Sequence, residues 1–420
     1  MSFRKTGHTL AAAAAILAVG LWTGASNATA AGRSVPQGFF GVDMDPWALN
    51  KQGIDANAEL ATAATQGVES VRVPLYWFSV QPYSSWDAVP AIQRPNFTPD
   101  PDGGAPYNWT SLDRFMSGAA TSGIKVLPTL MGAPSWAADK RYARLIPLPA
   151  SPSRFGQFAA ALASRYGKQG SFWQTNPGLV PDPISTWQIW NEPDLDRYWP
   201  QHAGETQSVT VGGKVKRLKG LGFAPTYVQL LRAAHSSIRT ADPSASVMAA
   251  SLTNRAWVSL KLIYQSGGRG NFEEVGANVF TQTPSSLVTA IKQIRSTMSS
   301  YGDSRLPYTV AEYSWSSGSG SISLTQHMGW LVTTAPTQAK NAGLAMAQFM
   351  ANRSALKIKN AFWYTWASPD TGSDTVWNYA GMRRTNGISI SSKPVLAAFA
   401  SRALAAEGCK AKIIATACAG

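Results

Sequence analysis

Eight short apolar runs, separated by longer segments of helical periodicity, are the feature that most constrains the fold of this 420-residue chain. Each run is bounded by turn or polar residues, as expected for a strand that is buried on both faces. The predicted strands are residues 39–43, 70–74, 125–130, 185–190, 246–250, 277–281, 308–311 and 361–365. Strands that alternate with helices in this way indicate βα units around a parallel sheet.

The intervals between these runs carry helix signals. Ser151 and Pro152 form a cap and first-turn pair, and the apolar residues that follow recur at helical spacing. These residues are Phe155, Phe158, Leu162 and Tyr166, and after Pro225 they are Tyr227, Leu230, Leu231, Ala234 and Ile238. Residues 393–406 are predicted to form the closing helix. We therefore predict an α/β fold, a single (β/α)8 TIM barrel over residues 31–406. The doubly wound alternative would place a Gly-rich phosphate loop after its first strand, and the sequence has none there.

The first thirty residues have the pattern of a secretory signal. Arg4 and Lys5 form a positive n-region, residues 10–22 are a short apolar run, and Ala28 and Ala30 are the small residues of a cleavage site. The alternative, a membrane anchor, needs roughly twenty apolar residues, which this run does not reach. We expect a signal peptide over residues 1–30 and a secreted, extracellular protein, with cell-wall association as a further option.

The charge of the chain is strongly positive, with 37 Lys and Arg against 23 Asp and Glu. A basic surface attracts polyanions, so an anionic cell-wall polymer or exopolysaccharide is a candidate partner. We predict a Gly-rich loop that holds the densest basic run, which consists of Lys214, Lys216, Arg217 and Lys219. No motif indicates specific nucleic-acid binding, no later segment has the length and apolarity of a transmembrane helix, and we expect a monomer.

The two cysteines, Cys409 and Cys418, both lie near the carboxyl terminus. Outside the cytoplasm we expect them to form one disulfide in a tail of residues 407–420. A metal site is the less favoured alternative, because no further Cys or close pair of His accompanies them. The sequence predicts no cofactor and no metal.

Two glutamates follow predicted strands directly. Glu192 comes after the fourth run within Trp190-Asn191-Glu192-Pro193, and Glu312 comes after the seventh. The carboxyl ends of all strands meet at one face of a barrel, where catalytic groups lie. Cleavage of a glycosidic bond needs one carboxyl group to protonate the leaving oxygen and a second to attack the sugar or activate water. The pair therefore predicts a glycosidase.

In this context the chain resembles the retaining clan A glycoside hydrolases, and is most similar to family 39, with family 5 close behind. The resemblance is carried by residues 187–195, which contain the Asn-Glu-Pro motif, and by seven shorter segments spread over most of the chain. These are Gly41-Val42-Asp43, residues 71–74, the segments 127–128 and 134–136, residues 311–315 with Glu312, and Phe362-Trp363-Tyr364 followed by Ser392-Lys393-Pro394.

The resemblance implies a role for each matching residue. Glu192 would be the general acid and then the base, and Glu312 the nucleophile of a double displacement on an extracellular or cell-wall polysaccharide. Asn191 would hold a sugar hydroxyl, Arg72 would keep Glu312 ionised, and Trp363 would lie under the sugar ring. Because the acid must stay protonated near neutral pH, we expect Glu192 to have the higher pKa.

One position departs from the family pattern. Relatives carry His-x-Tyr at the end of strand six, whereas this chain has Asn278-Val279-Phe280, and Phe280 has no hydroxyl. Gln282 or Tyr313 could supply the missing contact. The alternative is a catalytically inactive barrel that acts as a glycan-binding or cell-wall-associated protein.

The sixteen tryptophans are the last feature with a functional interpretation. Several fall just after strands or in loops on the expected active face, namely Trp47, Trp77, Trp136, Trp199 and Trp315. We expect some of them, Trp136 and Trp315 in particular, to stack on sugar rings. A cleft of this kind would favour an endo-acting enzyme.

Overall fold

The fold of the chain is described by a computed structural model over residues 32–101, 103–142, 146–200, 206–211, 214–219, 222–253 and 255–419, with the backbone alone between 206 and 219. The predicted signal peptide, residues 1–30, lies outside the described residues. Within the described part of the chain, no helix combines the length and the apolarity needed to cross a bilayer.

Eight parallel strands form the centre of the molecule, as predicted. In chain order they are β1 (Phe40–Asp43), β2 (Ser70–Tyr76), β3 (Lys125–Met131), β4 (Thr186–Ile189), β5 (Ser246–Met248), β6 (Val275–Asn278), β7 (Tyr308–Tyr313) and β8 (Ile358–Trp363). Their order around the sheet is β5-β4-β3-β2-β1-β8-β7-β6. Parallel bridges between Met248 and Glu274 and between Leu252 and Ala277 join the two ends. The sheet is therefore a nearly closed (β/α)8 barrel.

Each strand differs from its predicted bounds by one to three residues at one or both ends. Strand β2 continues past Pro74 to Tyr76, because its pairing with β3 runs on through Tyr76 and Met131. Strands β6 and β8 begin earlier than predicted, at Val275 and Ile358. The start of β8 includes Lys359, a polar residue that sequence patterning assigns to a loop; its ammonium is paired with the buried carboxylate of Glu274.

Helices surround the barrel and connect its strands. Their bounds are α1 (Pro46–Lys51), α2 (Ala56–Thr65), α3 (Trp77–Val80), α4 (Thr110–Ser122), α5 (Pro152–Tyr166), α6 (Ser171–Thr175), α7 (Ala224–Ala241), α8 (Ala256–Gln265), α9 (Pro284–Ser300), α10 (Ala335–Leu356) and α11 (Pro394–Glu407). Short 3-10 helices lie at Ala91–Asn96, Gly329–Leu331 and Val376–Tyr379.

Helices α5 and α7 bury the apolar faces that the sequence predicts. Ser151 caps α5 by accepting a hydrogen bond from the backbone N–H of Arg154. The two helices approach closely at Gly156, where a Cβ atom would lie 2.9 Å from the carbonyl oxygen of Ala233. A larger residue at position 156 would therefore push α7 away from the barrel.

The barrel interior is filled by side chains. Leu127, Met248, Ala311 and Phe362 form a small apolar cluster between β3, β5, β7 and β8. Gly41 makes room for it, since a Cβ atom there would lie 2.6 Å from the ring of Phe362. The apolar cluster separates the polar residues at the two ends of the barrel.

Three smaller sheets lie outside the barrel. Strands Ala367–Ser368, Arg383–Asn386 and Ser389–Ser392 follow β8, and strands Thr206–Val211 and Lys214–Lys219 form an antiparallel hairpin between β4 and α7. The basic run predicted to lie in a loop is thus the second strand of this hairpin. Strands Lys412–Ile414 and Ala417–Cys418 form the third sheet, a hairpin in the tail.

The tail packs against the amino end of the barrel. The predicted disulfide joins Cys409 to Cys418. The Lys412 ammonium lies 2.6 Å from carboxylate oxygens of both Glu69 and Glu407, and all three side chains are almost fully buried. Arg33, from the segment before β1, also pairs with Glu69. This buried ion cluster ties the two ends of the described chain to the strand β2.

Candidate active site

The guanidinium of Arg72, the third residue of β2, is the centre of the polar network at the barrel mouth. It is almost fully buried, and each of its N–H groups donates to the protein. Its acceptors are Gln188 Oε1 (2.8 Å), Asp43 Oδ1 (2.5 Å), Glu312 Oε1 (2.8 Å), Asn191 Oδ1 (2.7 Å) and Ser251 Oγ (3.4 Å). A planar guanidinium can hold acceptors from several strands in one plane, which a lysine cannot do.

Glu312 lies near the carboxyl end of β7 and is buried, with 7% of its surface exposed. Its contact with Arg72 is the one that the sequence resemblance implies. Asn278 at the end of β6 pairs in register with Glu312, after a register shift that follows Ala277. Such irregularities re-aim side chains next to functional sites. Here the shift brings the Asn278 side chain to the barrel mouth.

Glu192 follows β4 and is buried to a similar extent, with 6% exposed. Both Trp190 and Glu192 have left-handed backbone angles, with φ of 70° and 48°. These conformations are costly for residues other than glycine and persist only where the surroundings hold them. The Gln188 amide donates to the Trp190 carbonyl, and the Glu192 N–H donates to the Ser251 carbonyl. Local hydrogen bonds thus hold the turn that presents the Glu192 carboxyl group.

Asp194 stabilises the same turn from the other side. Its carboxylate accepts hydrogen bonds from the Thr253 N–H at 3.0 Å and the Ser259 hydroxyl at 2.8 Å. Burial raises the pKa of Asp194 to about 6. Asp194 therefore joins the segment after β4 to the start of α8, behind Glu192.

The Asn278 amide links the two glutamates. Its Nδ2 donates to Glu192 Oε1 at 2.7 Å, while its backbone is in register with Glu312. Glu192 also lies 3.6 Å from the half-exposed guanidinium of Arg197. The two carboxyl groups, 120 positions apart in the chain, are thus brought to one end of the barrel and share the network of Asn278 and Arg72.

The environments of the two carboxyl groups differ in charge. Burial, followed by the charge of Glu312, raises the pKa of Glu192 to about 8. Burial also raises the pKa of Glu312, but the Arg72 guanidinium opposes that rise. Glu192 therefore stays protonated at neutral pH, while the cation beside Glu312 favours its ionised form. The sequence predicts that Glu192 has the higher pKa of the two, and the directions of these shifts agree with that prediction.

A cavity of about 320 Å³ opens beside this network. Glu312, Arg72 and Asn191 line it, together with residues from the ends of β1, β2, β3 and β8. Its aromatic lining consists of three tyrosines, Tyr76, Tyr198 and Tyr364. The Asn191 Oδ1 is held by Arg72, and its Nδ2 has no partner among the described residues, so this amide is free to donate into the cavity.

The predicted tryptophan platform is not found. Trp363 is fully buried, donates its N–H to the Ala380 carbonyl and packs against Tyr313. Trp315 is also buried and donates to the Gln282 carbonyl. Both side chains point away from the cavity because they complete the packing behind β7 and β8. The neighbouring residue Tyr364 lines the cavity instead.

The remaining tryptophans also lie elsewhere. Trp136 is half-buried and lines a separate cavity with Trp77 and Arg154. Trp77 and Trp199 are buried in the core, and Trp47 packs on Phe115 of α4 while donating to the Pro74 carbonyl. The stacking cleft that these tryptophans predicted is therefore not formed around the two glutamates.

The cavity lining contains a tyrosine near Glu312, although Phe280 has no hydroxyl. Phe280 packs against Trp377 at 4.6 Å and has no polar role, and Tyr313 is buried with its hydroxyl unpartnered. Burial, followed by the charge of Glu312, raises the pKa of Tyr364 well above its ordinary value. The tyrosine that lines the cavity with Glu312 is therefore Tyr364, the residue directly after β8. Neither Gln282 nor Tyr313, the two residues suggested by sequence, lines the cavity.

Sequence reasoning missed three kinds of site residue: the amide of Asn278, the tyrosines and Gln188. Tyr76 and Tyr364 stand directly at strand ends, so the position that singled out the glutamates could also have identified them. Asn278 was considered only as a mismatch to the family pattern. Its contact with Glu192 depends on the register shift in β6, for which the sequence carries no signal.

The comparisons with known proteins support the fold. No family matches the sequence, and no curated protein matches it. A family 39 glycoside hydrolase from Bacteroides cellulosilyticus WH2 has a similar structure, with a TM-score of 0.56 and 15% identity; the match covers 88% of this chain and 64% of that one. The chain therefore spans less than two thirds of that protein's length.

Two further solved structures match over most of this chain. A monomeric beta-xylosidase from Caulobacter crescentus CB15 has a TM-score of 0.56 and 16% identity, over 89% of this chain and 69% of that one. A GH53 catalytic domain from Ignisphaera aggregans has a TM-score of 0.52 and 16% identity, over 87% and 96% of the two chains. The chain thus has the (β/α)8 fold of the clan A glycoside hydrolases, and the resemblance to family 39 is confirmed at the level of the fold.

Proposed function

We propose that this chain is a retaining glycoside hydrolase that cleaves O-glycosidic bonds of an extracellular or cell-wall polysaccharide by double displacement. The observation that carries the proposal is the pair formed by Glu192 and Glu312. Both are buried at the carboxyl end of the barrel, one beside a cation and the other with a pKa raised to about 8. Two carboxyl groups whose environments differ in this way are suited to opposite roles.

In the first step Glu192 donates its proton to the leaving oxygen while the Glu312 carboxylate attacks the anomeric carbon. The products are a free alcohol and a glycosyl ester on Glu312. Arg72 stabilises Glu312 before attack, and Asn191 offers its free amide N–H to a hydroxyl of the sugar in the cavity. Because its pKa is raised, the Glu192 carboxyl group still carries a proton to donate at neutral pH.

In the second step Glu192, now ionised, removes a proton from water, which attacks the same carbon and releases Glu312. The ester is then replaced by a hydroxyl on the original face of the sugar. The Asn278 amide, 2.7 Å from Glu192 Oε1, stabilises the ionised form that exists between the two steps. Tyr364 would contribute its phenol beside the nucleophile.

We also propose that the protein is secreted. The expectation of endo action depended on a tryptophan cleft, and no tryptophan of the described residues lines the cavity beside Glu312. Secretion predicts that protein recovered from the medium of the native host begins at Ala31. Recovery of cell-bound protein that retains residues 1–30 would contradict it.

The test is a panel of aryl glycosides and polysaccharides, with the anomeric form of the first product followed by NMR. We expect retention of configuration and, in Glu312→Ala and Glu192→Ala, a loss of about 10²–10⁴-fold or more in turnover. Azide, a small anion that fits the space left by a carboxylate, should restore turnover of aryl glycosides in the Glu192 variant. Inverted products, or wild-type rates in either variant, would contradict the proposal.

Glu273 provides a matched control. Its carboxylate pairs with His235 at the amino end of β6, on the side of the barrel opposite the cavity. Glu273→Ala removes the same group as the two test substitutions. It should leave turnover within about twofold of the wild type, because long-range effects of a half-exposed pair are small.

A further inference from the structure

Among the residues that line the cavity beside the two glutamates, the acidic ones outnumber the basic ones. Asp43, Asp45 and Glu312 line it directly. Arg72 is the cation among its described lining residues. The overall charge of the chain is positive, whereas the acidic side chains of this lining outnumber the basic ones.

Arg72 offers nothing to a ligand. A guanidinium has five N–H donors, and all of them are directed to protein acceptors in this structure. Arg197, beside the cavity, donates to the Tyr198 hydroxyl and lies 3.6 Å from Glu192. A carboxylate on a sugar would therefore meet acidic oxygens and no free cation among the described lining residues.

Asp45 is the accessible acidic group of this lining. One of its oxygens, Oδ1, caps α1 by accepting from the N–H groups of Trp47 and Ala48. The other oxygen, Oδ2, has no partner among the described residues. Its charge also raises the pKa of Tyr76, after burial, which places the carboxylate and that phenol on the same wall.

Asp43 adds a second carboxyl group with an unused atom. Burial raises the pKa of Asp43 well above its ordinary value, against the effect of Arg72, so this group contributes a hydrogen-bonding oxygen rather than a charge. Its Oδ1 pairs with Arg72, while its Oδ2 is buried without a hydrogen-bond partner. The Thr129 hydroxyl, also in the cavity lining and 2% exposed, is unpartnered as well. Buried polar atoms usually have partners, so this wall is built for a ligand that supplies them.

Neither Asp43 nor Asp45 is required by the two-step chemistry. We propose that the Asp45 carboxylate, assisted by Asp43, makes the cavity selective for a sugar unit with a free amine, with neutral units next and uronic acid units excluded. This inference rests on the proposed function for its catalytic consequence. An ammonium group would donate to the free acidic oxygens, whereas a sugar carboxylate would be repelled and would lose its hydration without replacement.

The surface and the cavity would then bind different units of a polymer. The basic exterior can still hold a polymer that carries acidic groups. The unit at the point of cleavage must be a different one, without a carboxylate. A polymer of mixed units would satisfy both requirements.

The test compares three methyl glycosides: a neutral hexose, its 2-amino-2-deoxy derivative and its uronic acid. Each derivative differs from the neutral hexose in one group. Binding is measured by calorimetry at about 0.15 M salt, where attraction over the protein surface is screened beyond about 8 Å. We expect the order amine, neutral, uronate, with about tenfold or more between the first and last. Equal or tighter binding of the uronate would overturn the inference.

Asp45→Asn is the decisive variant. Asparagine caps helices as well as aspartate does, so α1 keeps its cap while the cavity loses one charge. The preference for the amine over the uronate should fall by about tenfold. Asp182→Asn, which removes a charge from the Lys125 pair at the amino end of β3, should leave the order unchanged. Identical selectivity in Asp45→Asn and in the wild type would also overturn the inference.

Aryl versions of the three sugars test the catalytic consequence. The amine and neutral substrates should have a higher kcat/KM than the uronide, and Asp45→Asn should narrow that difference. Binding in the order amine, neutral sugar, uronate, with no turnover of any glycoside, would reject the proposed hydrolase function but support the selectivity of the cavity. Turnover with a higher kcat/KM for the uronide would reject the selectivity of the cavity but support the hydrolase function.

Discussion

Arg72→Lys tests the hydrogen-bond network on which the site depends, because it keeps the positive charge and removes the planar arrangement of N–H donors. An ammonium has three N–H donors against five in the guanidinium. Arg72 satisfies five acceptors on β1, β4, β7 and the segments after β4 and β5. At least two of these acceptors therefore lose their donor in the variant.

The expected loss follows from this count. A hydrogen bond to a charged group contributes about 1.5–3 kcal/mol, so two lost bonds at the lower end lower the free energy of unfolding by about 3 kcal/mol. With an unfolding entropy of roughly 2.1 cal/mol/K for each of roughly 390 residues, the midpoint of thermal unfolding falls by about 4 °C. The same energy, if lost from the transition state, lowers kcat/KM about 100-fold.

The pH dependence of activity gives an independent readout. The Arg72 charge lowers the pKa of Glu312 against the effect of burial. A lysine holds its charge farther from Glu312, so the pKa of Glu312 rises and the acidic limb of kcat/KM moves to higher pH. Calorimetry and a pH profile on any aryl glycoside that the wild type cleaves measure both effects. Arg114→Lys, in an exposed pair with Asp55, is the control and should change neither. An unchanged unfolding midpoint together with an unmoved acidic limb would refute the reasoning.

Three further perturbations have expected outcomes. The pKa of Glu192, about 8 in the folded state, means that the fold binds an extra proton between pH 4.5 and 8, so stability falls as pH rises through that window. Glu192→Gln removes this fall, and its unfolding midpoint should exceed that of the wild type by more at pH 8 than at pH 5; parallel curves would contradict this. Lys412→Met leaves the buried Glu69 and Glu407 without their shared cation and should cost about 3–5 kcal/mol, measured by denaturant unfolding at pH 7. Trp363→Phe, at a fully buried site, should lower the free energy of unfolding by roughly 2 kcal/mol while KM stays within twofold of the wild type. A large rise in KM would indicate that Trp363 contacts the sugar and would contradict this prediction.

The architecture could be predicted because it is encoded locally. Each barrel strand is a short apolar run, and α5 and α7 carry complete amphipathic patterns with caps. The two glutamates were found for the same reason, since the position of each relative to its strand is a local property. The carboxyl ends of strands converge in any barrel, so local position was sufficient to predict that Glu192 and Glu312 meet.

The features that could not be predicted depend on long-range packing. The direction of the Trp363 and Trp315 side chains follows from the strand register at the ends of β7 and β8. A shift of one residue there moves a side chain from the inner face of the barrel to the outer face. Residues 363 and 364 are both aromatic, and the sequence does not show which one faces the cavity. The pairing of Glu69 with Lys412 joins residues 343 positions apart and has no local signature.

The most direct test of the central claim is covalent labelling of Glu312. A 2-deoxy-2-fluoro glycoside with a good leaving group slows both steps but leaves the glycosyl ester long-lived, so the adduct can be located by mass spectrometry of peptides. We predict one fluoro-sugar per chain, on the peptide that contains Glu312, and no adduct in Glu312→Ala. An adduct on another residue, or none after incubation with fluoro-sugars of the classes that the wild type cleaves, would contradict the account.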